Sequence, residues 1–501
     1  MTPNQIQSLR LLLPMITLSA VAFILFGVDA AAHEATTAVR KAGLWITLLG
    51  VAAGAYLLTP QNGDAPVVFG RQMLVWDGLS FFLSWVALLT VFFVALLSEH
   101  DKEFDGMRLS AYFGLLLLSA VGLILIASAN DFLVIFISIE LISVPSFILT
   151  GYLRHQERSS EGAIKFFLIG AFSSAMLAYG LSIVYGIAGT TSLMKIHDAI
   201  PAFQANAPLA LLAVIFIIVS FGFKIALVPF HMWVPDAFEG APVPIAAFLS
   251  VAPKIAGVAI TLRVFTLVLG ASTLGILQVL AVLAAITMTV GNIIGLQQTN
   301  VVRLLAYSSI AHMGYIFLGL IAGTSAGASS VYFYGWIYLF MNLGAFAVVV
   351  CISNAMGSSE LSSYRGLGKR APLLSGLLVL FLLSLAGIPP TAGFVAKFYV
   401  FSAAYDAGWV WLVIVAAINS VISVGYYFKI LHAMYFQAPA TDSPVELDLS
   451  ARLALWLASG VTLLVGIYPQ YMMARTQMLA STPAVQQAAP VSVTTTPQGQ
   501  P

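Results

Sequence analysis

The stretch 221–240, "FGFKIALVPFHMWVPDAFEG", decides how the chain is read. An apolar run carries a lysine at 224, meets Pro229, and then presents His231, Asp236 and Glu239. Proline removes a helical donor and clashes with the preceding turn, so a helix entering this stretch breaks there. A cation just ahead of that break, in an otherwise apolar helix, needs a reason. The wider composition supplies the setting. Of 501 residues, 60% are hydrophobic and 8% charged, against about a quarter charged in a soluble domain. The chain reads as one all-α polytopic membrane domain.

Composition also excludes. A net charge of +1 does not point to nucleic acid. The single cysteine, Cys351, lies in an apolar segment and cannot ligate an Fe–S cluster, attach a haem or frame disulfides. No glycine-rich dinucleotide fingerprint joins a strand to a helix, and no Walker loop is present. The N-terminus, "MTPNQIQSLRLLLPMITLSAVAFILFGVDA", reads as a first transmembrane helix rather than a cleaved signal, because no clear A-x-A site follows a short apolar core.

A span needs about 20 mostly apolar residues, and on that rule about fourteen are expected. They lie near 9–28, 42–59, 78–98, 108–128, 131–151, 162–186, 208–230, 242–268, 272–296, 301–322, 329–354, 371–403, 407–436 and 452–473. The tail from Ser481 is uncharged, rich in Pro, Thr and Gln, and reads as disordered. An even number of spans puts both termini on one side. Loops on the other side carry Arg40, Lys41, Lys102, Arg108, Arg154, Arg158, Arg303, Arg365, Lys369, Arg370 and Arg452, while the terminal side has Arg10, Arg71, Lys195, Arg263 and Arg475. The positive-inside bias then places both termini outside the cytoplasm.

The seventh and twelfth spans are long and contain proline breaks; the twelfth includes 384–399, "SLAGIPPTAGFVAKFY". Each has a lysine near its break. They lie five spans apart, an odd number, so the second copy is inverted relative to the first. Paired broken segments of this kind point to an inverted-repeat transporter, with spans 4–8 (108–268) and 9–13 (269–436) as the repeats. Residues 1–107 precede them, and 437–480 add span 14.

Few charges fall inside spans. They are Glu140 in "VIFISIELISVP", Lys224, Lys254 in "FLSVAPKIAGVAI" and Lys397; His312, in "YSSIAHMGYIF", is a further polar group at depth. Insertion costs about 2.5–3.5 kcal/mol for each central charge, so an intramembrane ionisable residue is a functional candidate by default. Lys165 and Lys429, near span ends, read as ion-pair partners or snorkelling side chains. His312 is read equally as a packing histidine or a relay member. Glu140 would neutralise one lysine, but three lysines against one glutamate leave an excess. Burial brings a lysine toward neutral pH, where it both accepts and releases protons, and a nearby carboxylate opposes this. A helix break adds unpaired backbone groups and room for water, tolerated only where protein or a wet cavity faces them. The break therefore reads as a hydrated passage with Lys224 on its wall.

At this point "KIALVPFHMWVPDAFEGAPVPIAAFLSVAPKIAG" (224–257) and "GIPPTAGFVAKF" (387–398) resemble the antiporter-like membrane subunits of complex I, the proton-pumping NADH:quinone oxidoreductase. The resemblance covers about residues 75–475 and is nearest the subunit N branch. Lysine at 397, where the subunit M branch usually has glutamate, and the lack of the long helical C-terminal extension of subunit L both favour it. The resemblance matches Glu140 to the family's fifth-helix glutamate, Lys224 to its seventh-helix lysine and His231 to the histidine beside that helix's break. Lys254 matches the central eighth-helix lysine, and Lys397 the twelfth-helix residue near the exit.

The implied function is proton translocation driven by quinone reduction elsewhere. Glu140 would set the charge on Lys224, and protons would pass Lys254 and leave by Lys397, with His231 and His312 as relay members. No cofactor would bind this chain; FMN, Fe–S clusters and quinone would sit in other subunits. Partners would be other membrane subunits, membrane lipid and, indirectly, the peripheral redox arm, in a bacterial inner membrane. The rival readings are a subunit of a multi-subunit cation/proton antiporter or of a membrane hydrogenase complex, and a scaffold that only holds its neighbours.

Overall fold

A computed structural model of the chain describes residues 3–32, 36–60, 66–70, 72–267, 275–439, 445 and 447–481. Apart from Ser481, the polar tail lies outside them. The chain runs through α1 (Pro3–Ala31), α2 (Thr37–Leu57), a hairpin of β1 (Val67–Phe69) and β2 (Leu74–Trp76), α3 (Gly78–His100), α4 (Ser110–Ala127), α5 (Phe132–Thr150) and α6 (Glu157–Ala188). Two short helices, α7 (Leu193–Asp198) and α8 (Ile200–Ala205), lead to α9 (Ala207–Ile225), α10 (Trp233–Gly240) and α11 (Val243–Leu267). Then follow α12 (Ile276–Gly295), α13 (Val301–Ile321), α14 (Ser325–Met356), the single turn α15 (Leu367–Arg370), α16 (Pro372–Ala386), α17 (Ala392–Asp406), α18 (Val410–Phe436), α19 (Leu449–Ile467) and α20 (Gln470–Ala480).

Thirteen helices among the described residues are long and apolar enough to cross a membrane. The twelfth expected span, 371–403, is split into α16 and α17, of 15 residues each. At 1.5 Å per residue, neither alone crosses a hydrocarbon core of about 30 Å. Expected spans also ran past two breaks: 208–230 stops being helical at Ile225, and 452–473 divides at Tyr468 and Pro469. The β1–β2 hairpin, α7 and α8 were not anticipated.

Helices are the form that lets a chain satisfy its backbone inside lipid. Small hydroxyls in these apolar helices are satisfied the same way, bonding back to the carbonyl four residues earlier, as Thr47 does to Gly43, Ser84 to Ser80 and Thr90 to Val86. The centre is formed by α11, α13 and α14, which are buried almost throughout; in α13 every residue except Arg303 is buried. By contrast, α6 turns Ile164, Phe167, Leu168 and Phe172 outward, and α5 does so with Ile137, Val144 and Ile148. Such faces suit lipid or a neighbouring membrane chain, not water.

The two breaks share one backbone pattern. α9 ends at the left-handed Ala226 (φ 66°), where the Leu227 N–H bonds to the Gly222 carbonyl at 2.8 Å. α16 ends at the left-handed Gly387 (φ 81°), and the Ile388 N–H bonds to the Leu383 carbonyl at 3.0 Å. This is the six-residue return bond that closes a helix C-terminus. Pro229 and Pro390, each in a cis peptide, lie three residues beyond the left-handed position in both copies. Side chains satisfy groups the first break frees: Thr287 Oγ1 accepts from the Val228 N–H at 3.0 Å, and the Trp233 indole N–H donates to the Phe223 carbonyl at 3.1 Å.

Arg263, expected among the charges of the terminal side, is not a loop cation. It lies within α11, its side chain 2% exposed, paired with Asp77 at 2.9 Å and bonded to the Ala127 carbonyl at 2.8 Å. Asp77 in turn caps the start of α3 through the Ser80 N–H at 2.9 Å. A buried arginine so paired is a structural clamp, and removing it from the loop tally leaves the charge bias sharper.

Candidate functional site

The site starts on α5. Glu140 and Ser143 are one turn apart, which puts them on one face of the helix. Glu140 Oε1 accepts from Ser174 Oγ of α6, and Lys224 Nζ donates to Ser143 Oγ. Lys224 occupies the last turn of α9, where a cation faces the negative end of the helix dipole. No ion pair within 4.0 Å joins Glu140 to Lys224 among the described residues; the Glu140 charge still acts on Lys224. Both are half-buried, and Glu140 borders the outward stripe of Ile137 and Val144.

Lys254 is fully buried in the middle of α11, directly after Pro253. Its ammonium donates to Ser309 Oγ of α13 at 2.6 Å and lies 5.1 Å from the centroid of the Phe238 ring. An ammonium over an aromatic face is attracted by the ring quadrupole, more strongly when water is excluded. Beside Lys224 there is a cavity of about 10 Å³ lined by Ile139, Ile142, Phe221, Lys224, Pro253, Ala256 and Gly257. That is room for about one water against the Lys224 side chain.

His231 sits in the first break, nearly buried, and among the described residues its Nδ1 has no hydrogen-bond partner. His312, on α13, bonds through Nδ1 to the Tyr334 hydroxyl at 2.8 Å and through Nε2 to the Tyr427 hydroxyl at 3.3 Å. Tyr427 in turn meets Ser308 Oγ at 2.5 Å. Lys397 lies in α17, and its ammonium donates to the Ala386 carbonyl at 2.8 Å and Ser420 Oγ at 2.9 Å. It stands 4.7 Å from the centroid of the Tyr315 ring, whose hydroxyl accepts from Asn292 at 3.0 Å. Asn292 also bonds Asn419 and Tyr426, and Asn419 reaches Thr289.

The six expected site residues therefore divide between an outer pair, Glu140 and Lys224, and an inner series through Lys254, His312 and Lys397, with His231 in the break between them. The sequence reading missed the groups around them: Ser143, Ser174, Ser308, Ser309, Tyr315, Tyr334, Tyr427, Asn292, Asn419 and Ser420. One signal was available. Ser308, Ser309, His312 and Tyr315 recur at helical spacing in the quoted segment 307–317, a polar stripe on an apolar helix. Lys165 and Lys429 match the plainer expectation: Lys429 donates to the carbonyls of Leu296 and Gln298, and Lys165 pairs with Glu161 and Asp236. No cluster of three or more His, Cys, Asp or Glu able to hold a metal occurs among the described residues.

Residues 129–423, which hold the whole series from Glu140 to Lys397, match the family described as NADH:quinone oxidoreductase/Mrp antiporter, TM. The chain belongs to this family. Among curated NADH:quinone oxidoreductase/Mrp antiporter relatives, NADH-quinone oxidoreductase subunit N 2 of Solibacter usitatus is 41% identical over 415 residues, covering 82% of this chain and 84% of the relative. The protein of the same name from Rhizobium meliloti is 42% identical, covering 87% and 91%. Of solved structures in this fold, a chain of respiratory complex I from Thermus thermophilus with bound aureothin superimposes with a TM-score of 0.76 at 30% identity, covering 92% of this chain and 98% of that one. A chain of the Mrp complex from Dietzia superimposes with a TM-score of 0.80 at 20% identity, which shows a shared fold.

Proposed function

We propose that this chain is the antiporter-like membrane subunit N of an NADH:quinone oxidoreductase and moves protons across the bacterial inner membrane. It carries no redox centre; FMN, Fe–S clusters and quinone belong to other subunits, which drive it. The observation that supports this reading best is the placement of the buried lysines. Among the described residues Lys254 and Lys397 have no carboxylate partner; each is buried and held by a serine hydroxyl and an aromatic ring. A purely structural design would pair or remove such charges. A lysine held by neutral donors and acceptors takes up and gives off a proton without breaking an ion pair.

In this mechanism Glu140 controls the charge on Lys224 across α5. Its half-buried position beside an outward apolar stripe leaves it open to the field of a neighbouring membrane subunit. Protons then pass Lys254, the His312–Tyr334–Tyr427 group and Lys397, from the cytoplasmic side to the terminal side, with both termini periplasmic. The matching breaks support spans 4–8 and 9–13 as inverted repeats around this axis.

The test is made in assembled complex. Glu140→Ala or Lys224→Ala lowers proton pumping and coupled NADH:quinone turnover while the complex still assembles; wild-type pumping in both variants would overturn the reading. A cation/proton antiporter would instead give sodium-dependent pH changes in vesicles lacking NADH and quinone. A scaffold would keep pumping after neutralisation of the buried lysines.

A further inference from the structure

The starts of α16 and α19 lie side by side at the loop end of the molecule, and both helices pack on α14. At this end they do not close on each other. A cleft of about 210 Å³ opens between them, lined by Leu373 and Leu377 of α16, Leu447 ahead of α19, and Arg452, Leu455 and Trp456 of α19. It has room for several carbon atoms, where the cavity beside Lys224 holds about one water. Leu377 and Leu455 are buried at its floor, while Leu373 and Trp456 stand exposed at its lip. Along α19 the cation comes first, and Trp456 lies one turn, about 6 Å, further into the span.

Arg452 is exposed, and among the described residues its side chain has neither an ion pair nor a hydrogen bond. Other loop-side arginines are engaged. Arg40 bonds Asp105 and the carbonyls of Ser98, Glu99 and Asp101, and Arg108 bonds those of Asp29 and Ala32. Arg303 bonds both Asp236 and Glu239. Arg452 also falls in the first turn of α19, where the helix dipole disfavours a cation, so the helix itself gives no reason for it. Arg365 and Lys369, both exposed in the turns that lead into α16, add positive charge at the same end. Trp456 belongs where an aromatic ring meets the membrane surface. A cation over an apolar cleft at a span end matches an amphiphile with an anionic head, and basic pockets between membrane helices take such head groups. A neighbouring helix would match the leucines but not the guanidinium, whose planar fork fits a phosphate.

We propose that this cleft is a site for one anionic phospholipid, its phosphodiester on the Arg452 guanidinium and one acyl chain laid along Leu373, Leu377, Leu455 and Trp456. The guanidinium selects the head group. The leucines hold whichever chain is present, because burial of each methylene is favourable and non-directional. Seated there, the lipid bridges α16 to α19 and braces the half-span that ends at Ala386, the residue whose carbonyl Lys397 bonds. The site stands apart from the path of protons and does not depend on it.

The experiment uses the assembled complex in nanodiscs made with phosphatidylglycerol or phosphatidylcholine, each carrying a photoreactive diazirine in one acyl chain. After irradiation, peptides covering 372–379 and 447–460 are examined for lipid adducts by mass spectrometry, with complex abundance read on native gels. In wild type the phosphatidylglycerol probe labels these peptides about five times more than the phosphatidylcholine probe, the preference that one cation at a membrane surface confers. Arg452→Gln removes that preference, and Arg452→Lys keeps most of it. Leu373→Trp, which fills the lip of the cleft, lowers labelling by both probes. Equal labelling by the two probes, unchanged in Arg452→Gln, would mean ordinary boundary lipid and overturns the site. Absence of labelling in wild type would mean that another chain covers the cleft, and overturns it as well. Should Arg452→Gln not assemble, Leu373→Trp decides: unchanged labelling there shows that no acyl chain lies in the cleft.

Discussion

The ammonium of Lys397 is bonded, at 2.8 Å, to the carbonyl of Ala386, the last residue of α16 before its own span breaks. One side chain thereby closes the end of a helix and places a buried ammonium at the break.

Substituting it separates those two roles. Lys397→Met leaves the Ala386 carbonyl only the longer Ser420 bond of 3.3 Å, which costs about 1–3 kcal/mol for a poorly satisfied buried acceptor. Lys397→Arg keeps a donor, but a guanidinium does not release its proton. Thermal melting of purified complex should fall for Met and recover for Arg, while proton pumping falls in both.

Ser309 is the hydroxyl that holds Lys254. Ser309→Ala removes the acceptor 2.6 Å from a fully buried ammonium, a loss of about 1–3 kcal/mol. Lower melting temperature and slower pumping are expected, with both restored by Ser309→Thr. Wild-type behaviour of the alanine variant would mean another group holds the lysine.

Ala226 adopts a left-handed conformation (φ 66°) in which its Cβ is unwelcome, at a cost of about 1–2 kcal/mol. The equivalent residue in the second break is glycine. Ala226→Gly should raise or preserve stability and keep turnover, and Ala226→Val should lower both. The comparison of the two melting curves checks it.

Acidification tests the pairing of Asp236 with Lys165 and Arg303. Burial pushes the Asp236 carboxyl up, but hydrogen bonds from Lys165 and Arg303 pull it down further, leaving it below the usual carboxylate range. Its contribution to stability is therefore full above the ordinary carboxylate pKa of about 3.9 and fades as pH falls through the lower folded value. The melting difference between wild type and Asp236→Asn should be full at pH 7 and shrink only in strong acid. A difference already gone at pH 6 would contradict the pairing.

Much of this was legible in the sequence because charge is scarce in it. Glu140, Lys224, Lys254 and Lys397 stood out against apolar runs, and Pro229 and the 389–390 proline pair marked both breaks. Break lengths were not legible. Apolar residues on either side of Ala226 and Gly387 keep the hydropathy signal continuous, so the spans read through them. The hydroxyls around the site were hidden for another reason. Serine and threonine abound in these helices and mostly bond their own backbone, as Ser84 and Thr90 do, so only packing shows which ones turn toward a lysine. Arg263 was misplaced because its partner, Asp77, lies 186 residues earlier in the chain.

The burial of α13 has a mechanical consequence. Arg303, Ser309, His312 and Tyr315 ride on one rod, spread along about 18 Å at 1.5 Å per residue. Their respective counterparts, Asp236, Lys254, Tyr334 and Lys397, stand on four different helices. Helices in such transitions slide by about 1–2 Å, enough to stretch a 2.6–2.9 Å hydrogen bond beyond reach. A piston stroke of α13 would loosen all four contacts in a single movement, so their timing would be set by a rigid body rather than by any one side chain.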